Sequence, residues 1–197
     1  IGSGIMAERL TDDVGLQLLA NAGATAGVLY AIIVMFGPVS GAHFNPAVTL
    51  SDAALTNRPW SDAAFYIVAQ VAGGSVGVMV ANLMFELDAI NMSDKVRDGS
   101  GQYIAEVVAT FGLIFLIFSL VRTGRESLAA GAVAAYIGGA YWFTSSTSFA
   151  NPAVSVTRTL SNTFAGIDPA SMPMFIVMQF IGATLAVAAI RVIYAND

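Results

Sequence analysis

No cysteine occurs among the 197 residues, so disulfides, thiolate nucleophiles and cysteine-based metal sites are excluded. Histidine occurs once, as His43, with no second His or Cys to pair with it. Charge is scarce: Asp, Glu, Lys and Arg make up 11% of the chain, and a net charge of −5 offers no basic surface to nucleic acid. An intramembrane enzyme needs a nucleophile with its base, a metal site or an acid pair, and these residues supply none of the three. No metal or cofactor is expected. A positively charged leader region is also lacking, and residues 1–6 read as the tail of an apolar segment too short to cross a bilayer.

What the chain has in abundance is apolar residues, 56% of the total with a mean hydropathy of +0.73, which makes it an integral membrane protein. Uncharged runs at 16–36, 63–85, 128–143 and 172–190, and a run at 103–121 interrupted only by Glu106, predict five spanning helices. Ala20, Ala22, Gly23, Ala24, Ala26 and Gly27 in the first run, and Gly73, Gly74 and Gly77 in the second, predict close helix packing. Residues 37–44 are expected to break the first span and fold back into the membrane, and 86–101 to form an exposed loop. Arg58, Arg122, Arg125 and Arg191 fall on one side of this topology. Glu8, Asp12, Asp13, Glu86, Asp88, Asp94, Asp98 and Asp168 fall on the other with Arg9, Lys95 and Arg97, so the first side is expected to be cytoplasmic.

One stretch organises the rest. Asn45-Pro46-Ala47-Val48-Thr49-Leu50 returns 106 positions later as Asn151-Pro152-Ala153-Val154-Ser155-Val156. In each copy Asn stands where a helix N-cap is wanted and Pro follows at the first helical position, where its missing N–H costs nothing. A single Asn-Pro pair is usually an ordinary turn or helix start. Here both copies lie in runs free of Asp, Glu, Lys and Arg, hence at membrane depth, where irregular backbone survives only if protein buries it or a cavity hydrates it. From Asn45 a short helix can run to about Leu55, some ~15 Å or half the bilayer. The second is expected to close at Asp168-Pro169. Two half-spans entering from opposite faces would aim their positive dipole ends and Asn side chains at one point, repelling cations while offering hydrogen bonds to neutral solutes. The second half reads span, span, half-helix, span, whereas the first shows only span, half-helix, span. Glu106 precedes Asn151 by 45 residues, and the same distance before Asn45 falls at residue 0, so one leading span of ~20 residues is expected upstream.

These residues resemble a known family, the major intrinsic proteins (aquaporins and aquaglyceroporins). Ser40-Gly41-Ala42-His43-Phe44-Asn45-Pro46-Ala47-Val48-Thr49 is similar to the family's first signature, Asn151-Pro152-Ala153 to its second, and Ala105-Glu106 with Thr110-Phe111 to the start of a repeat. The resemblance implies an all-α membrane protein with an aquaporin-like inverted repeat, a right-handed helical bundle with two re-entrant half-helices whose first transmembrane helix lies outside this chain. It implies one channel domain over 1–197, with a first repeat at 1–85, a connecting loop at 86–101 and a second repeat at 102–197. A homotetramer in a bacterial inner membrane, with neutral small molecules and the lipid bilayer as partners, is implied as well.

Carried over, Asn45, Pro46, Ala47, Asn151, Pro152 and Ala153 form the pore centre, and Glu106 becomes the buried acceptor of the second re-entrant loop. The family's outer constriction usually carries Arg three residues after the second Asn, but Val154 stands there; the other constriction positions fall on Thr25, Gly139 and Ser148. Such a ring should be wide and pass water, glycerol-like polyols, urea or neutral metalloid hydroxides such as arsenous acid, and the Val resembles a bacterial subgroup associated with metalloid resistance. Arg158, one turn beyond Val154, either reaches back toward the mouth or snorkels to the interface. His43 reads as a loop-anchoring hydrogen bond rather than a metal ligand, and Glu106 as a structural acceptor rather than a proton-coupling group, since no partner acid or base lies in another span. Two other classes stay open: a secondary transporter, since broken helices in inverted repeats also serve that purpose, and a non-conducting scaffold.

Overall fold

The computed structural model describes residues 1–56 and 58–195. Its regular structure is helical apart from one isolated bridge between Asn91 and Ser161: α1 (Gly2–Leu10), α2 (Val14–Ser40), α3 (Pro46–Leu55), α4 (Trp60–Met84), α5 (Ser100–Arg122), α6 (Ala129–Phe143), α7 (Pro152–Thr157) and α8 (Met172–Ile193). Helices α2, α4, α5 and α8 are each at least 22 residues long and apolar enough to cross a bilayer. The fifth predicted span is shorter: α6 has 15 residues, some ~22 Å, preceded by a 3-10 turn at Glu126–Leu128. Outward-facing positions such as Leu19, Val28, Phe65 and Val76 are apolar, as a lipid-facing surface requires.

Helix α2 does not break at Gly37. It continues through Pro38, which in the last turn removes a single backbone bond, and stops at Gly41, whose φ of 75° is the left-handed conformation glycine adopts without penalty. The Gly41 N–H closes on Gly37 O at 2.9 Å. Helix α3 ends at Leu55 as expected, but α7 stops well before Asp168, passing at Thr157 into a 3-10 turn over Arg158–Leu160. Buried Asn82, at the end of α4, explains the stop: its Nδ2 donates to Leu160 O at 3.0 Å while its Oδ1 accepts from Ser161 Oγ at 2.7 Å. The segment 86–101 is likewise more than an exposed loop. Asn91 and Ser93 N–H groups donate to Leu160 and Thr159 carbonyls, and buried Arg97 donates from Nε to Gly166 O at 2.8 Å, so this loop is sewn to the chain that follows α7.

Close packing occurs at fewer glycines than the composition suggested. Gly23, Gly27, Gly73 and Gly77 have no neighbour within 4 Å of where a Cβ would sit, and all four are exposed. Gly74 does pack closely, with a Cβ there 3.0 Å from Thr157 Cγ2, and a tighter backbone contact joins α5 and α8, where a Cβ on Gly182 would lie 2.4 Å from Val107 O. That neighbour is backbone and cannot swing aside. Gly182→Ala is therefore expected to destabilise the protein by about 1–3 kcal/mol, read as a lower melting midpoint in detergent; an unchanged midpoint would mean the two helices separate freely.

Side chain–backbone bonds mark the two ends of the bundle. Arg191 Nη2 donates to Ala54 O at 2.7 Å, which puts the last residues of α8 and α3 at one end. At the other, Glu8 accepts from Phe164 N–H at 2.9 Å and Lys95 Nζ donates to Phe164 O at 2.6 Å.

Candidate functional site

The two repeated motifs fold almost identically. Asn45 (φ −153°, ψ 120°) and Asn151 (φ −156°, ψ 109°) are both extended residues, each followed by Pro at the helix start. Each caps its own helix through Oδ1, which accepts from Ala47 N–H at 2.9 Å in the first and from Ala153 N–H at 3.0 Å in the second. Each then crosses to the other loop: Asn45 Nδ2 donates to Ala150 O at 2.7 Å, and Asn151 Nδ2 donates to Phe44 O at 2.9 Å. The half-helix N-termini are thus clasped tip to tip by a reciprocal pair of bonds. An amide has two N–H donors and the clasp uses one, so each Asn keeps a second. Both line a cavity of about 750 Å³.

The clasp requires unusual backbone. Phe44 and Ala150, immediately before the two Asn residues, both have φ of 47°, and Ala42 and Ser148 have φ of 50° and 51°. Left-handed non-glycine residues cost about 1–3 kcal/mol each and persist only where their surroundings over-determine them. In the second loop the determinant is Glu106, fully buried on α5. Its Oε1 accepts from Ser146 Oγ at 2.6 Å and Phe149 N–H at 2.9 Å; its Oε2 accepts from Ala150 N–H at 2.9 Å and Gln179 Nε2 at 2.6 Å. Gln179 also donates to Ser155 Oγ at 2.9 Å, tying α8 to α7. In the first loop Gln70 of α4 takes the corresponding place, donating to Thr49 Oγ1 at 3.0 Å, while His43 Nδ1 lies 3.2 Å from the same hydroxyl. Asp52 holds Arg58 beside them. Sequence reasoning missed Gln70 and Gln179. Their signal was visible: each is a lone amide in the middle of a long apolar helix, where a polar group needs a partner.

Of the four positions expected at the constriction, Thr25, Ser148 and Val154 line the cavity. Gly139 does not; it is exposed on α6, and Ala129, Ala130, Val133, Ile137 and Tyr141 are the α6 residues that line the cavity. The reason is helical phase, since a residue two positions from Ile137 and Tyr141 points to the opposite face. Tyr141 stands in its stead, with its hydroxyl 3.3 Å from Thr25 Oγ1. Arg158 also reaches the cavity. Its Nη2 donates to Tyr141 Oη at 3.1 Å and its guanidinium lies 4.3 Å from the centre of the Phe149 ring. Arg97 approaches the same ring at 4.9 Å. In this loop outside the spanning helices, burial first and the charge of Arg158 second pull the Arg97 guanidinium down to about 10. Among the described residues no cluster of three His, Cys, Asp or Glu could hold a metal.

The comparisons with known proteins agree with this geometry. The family model for the major intrinsic protein family matches residues 1–148. The chain is 48% identical over 191 residues to aquaglyceroporin AqpS of Rhizobium meliloti (strain 1021), a match covering 97% of this chain and 82% of that protein. It is 34% identical over 107 residues to probable aquaporin NIP4-2 of Arabidopsis thaliana, covering 51% of this chain and 36% of that one. It is 32% identical over 100 residues to a probable NIP-type aquaporin of Nicotiana alata, covering 50% and 37%. A duplicated Asn-capped half-helix inside an apolar helical bundle, together with a relative matched over nearly the whole chain, has one reading: the chain belongs to the major intrinsic protein family.

Proposed function

We propose that this chain is a passive channel for small uncharged solutes, passing water, glycerol-like polyols and neutral hydroxides such as arsenous acid, and that it works as a homotetramer in a bacterial inner membrane. One observation carries the reading: two neutral amides, each with a free N–H, sit at opposed helix N-termini on one cavity. Each N-terminus carries roughly half a positive charge, which disfavours cations at the point where the amides offer hydrogen bonds. The aquaglyceroporin name of the bacterial relative supports solutes larger than water. Thr25, Ser148 and Val154 contribute small or aliphatic side chains to this part of the cavity wall, beside Tyr141 and Arg158.

A channel needs no group that changes state during transport, and both amides are neutral. In proteoliposomes, stopped-flow light scattering should therefore show glycerol and water flux that is gradient-driven, does not saturate and has a low activation energy. Saturating flux would favour a transporter, and flux no faster than protein-free liposomes would favour a scaffold. Exchanging Asn151 for Asp is the sharper probe of the centre. An aspartate oxygen would face Phe44 O where an amide now donates, and a negative charge would offset the helix dipoles. Potassium leak into liposomes is expected to rise about tenfold or more, the range over which a focused surface field changes local ion concentration. Leak equal to wild type would remove the amide pair from cation exclusion.

A further inference from the structure

Besides the Tyr141 phenol, four charged or titratable side chains line the central cavity: His43, Asp52, Glu126 and Arg158. Asp52 and Glu126 lie toward the end that carries Arg58, and Asp52 is already bonded to that arginine. His43 sits beside the first loop with its Nε2 3.8 Å from Asp52 Oδ2. Arg158 is the sole arginine or lysine on the cavity wall among the described residues, and it stands near the opposite mouth. No carboxylate pairs with it: the ion pairs among those residues join only His43 and Arg58 to Asp52. Arg97 approaches the same Phe149 ring, at 4.9 Å from its centre, and adds to the positive field. A guanidinium has five N–H donors, and one is occupied, by the Tyr141 hydroxyl. The remaining four donate to no other group among the described residues. Its position is nonetheless defined from two directions, by the Phe149 ring beneath the guanidinium and by the hydrogen-bonded chain Thr25, Tyr141, Arg158 on the same cavity wall as Val154.

We propose that Arg158 is the specificity-determining cation of the outer constriction, excluding cations by its unneutralised charge and orienting hydroxylated solutes with its free donors, and that Tyr141 is the positioning residue that holds it there. The inference rests on the channel reading above but assigns a residue that reading does not need. Arg158 also supplies a barrier to ions at a ring where Val154 carries no charge. The half-helix dipoles act at the centre, and Arg158 acts first, at the mouth. Because the guanidinium is tethered from the 3-10 turn after α7 and not from within α7, it leaves the lumen wider than a side chain projecting directly from position 154 would.

The test uses the full chain in proteoliposomes, comparing wild type with Arg158→Ala, Arg158→Gln, Arg158→Lys and Tyr141→Phe. Removing the charge, by Ala or Gln, is expected to raise potassium leak about tenfold or more, as expected for loss of a focused field. The lysine variant should keep ions out yet shift the ratio of glycerol to water flux, because charge is retained and the planar donor fork is lost. The phenylalanine variant should shift the same ratio in the same direction while leaving the charge in place, which a merely structural tyrosine would not do. Ala and Gln variants that elute as monodisperse protein and leak no more than wild type overturn the proposal, and so does a lysine variant that leaks as much as they do. If only one of the neutral variants folds, that one decides. Wild type that passes neither glycerol nor water would instead sink the channel reading itself, a result that does not depend on residue 158.

Discussion

Replacing Glu106 with glutamine should abolish flux and lower the melting midpoint, the largest effect expected of any single substitution here. All four neighbours of this side chain are donors: the Ser146 hydroxyl, the Phe149 and Ala150 N–H groups and the Gln179 amide. Glutamine is nearly the same size but carries an NH2 in place of one acceptor oxygen, so two donors must then face an N–H in a fully buried site. Orphaning buried donors of a charged acceptor costs on the order of 3 kcal/mol or more. The loss falls on the strained residues that set the clasp, because the Ala150 N–H bonded to Glu106 belongs to the residue whose carbonyl accepts from Asn45. Once that loop relaxes, both amides lose their aim. Ser146→Ala provides the graded control: it deletes one donor of four and is expected to cost about 1 kcal/mol with flux retained. A Glu106→Gln protein with wild-type melting and wild-type flux would show that the second loop holds its shape without the carboxylate.

The second large effect is expected from Val154→Arg. Val154 lines the cavity one turn before Arg158 and beside Thr25. An arginine here would push a long side chain into the lumen and set a second guanidinium near the first. Glycerol flux should fall by about tenfold or more, since each misfitting methylene in a snug site is worth 10- to 200-fold in discrimination. Water flux should persist because water is smaller than the gap that remains. Cation leak, by contrast, should change little if Arg158 already supplies the barrier. Stopped-flow swelling with glycerol and with an impermeant osmolyte separates the two fluxes, and an equal ratio in both proteins would remove position 154 from the constriction.

Several structural features were legible in the chain because they are local or periodic. The Asn-Pro caps, the half-helix length from Asn45 to Leu55 and the existence of long apolar helices all follow from residue type and spacing. The left-handed loop residues were not legible, because Phe44, Ala150, Ala42 and Ser148 carry no mark of positive φ in their side chains. Gly139 was assigned by counting back from Asn151, and a count through a non-helical loop such as 144–150 does not preserve helical phase. Tyr141 therefore took the place at the cavity. Gln70 and Gln179 were passed over as single polar residues in apolar runs, although their isolation is what marks them.

Sequence by itself determined the class of the molecule, its two half-helices and their caps, since all of these depend on composition and on neighbours a few positions away. Tertiary structure alone decided that the amides reach across to each other's loops, that Glu106 is met by four donors, and that Arg158 turns toward the lumen to meet Tyr141 and Thr25. Those contacts join residues up to 116 positions apart. Whether such residues meet is fixed by how the spans cross and twist, which no short-range pattern encodes.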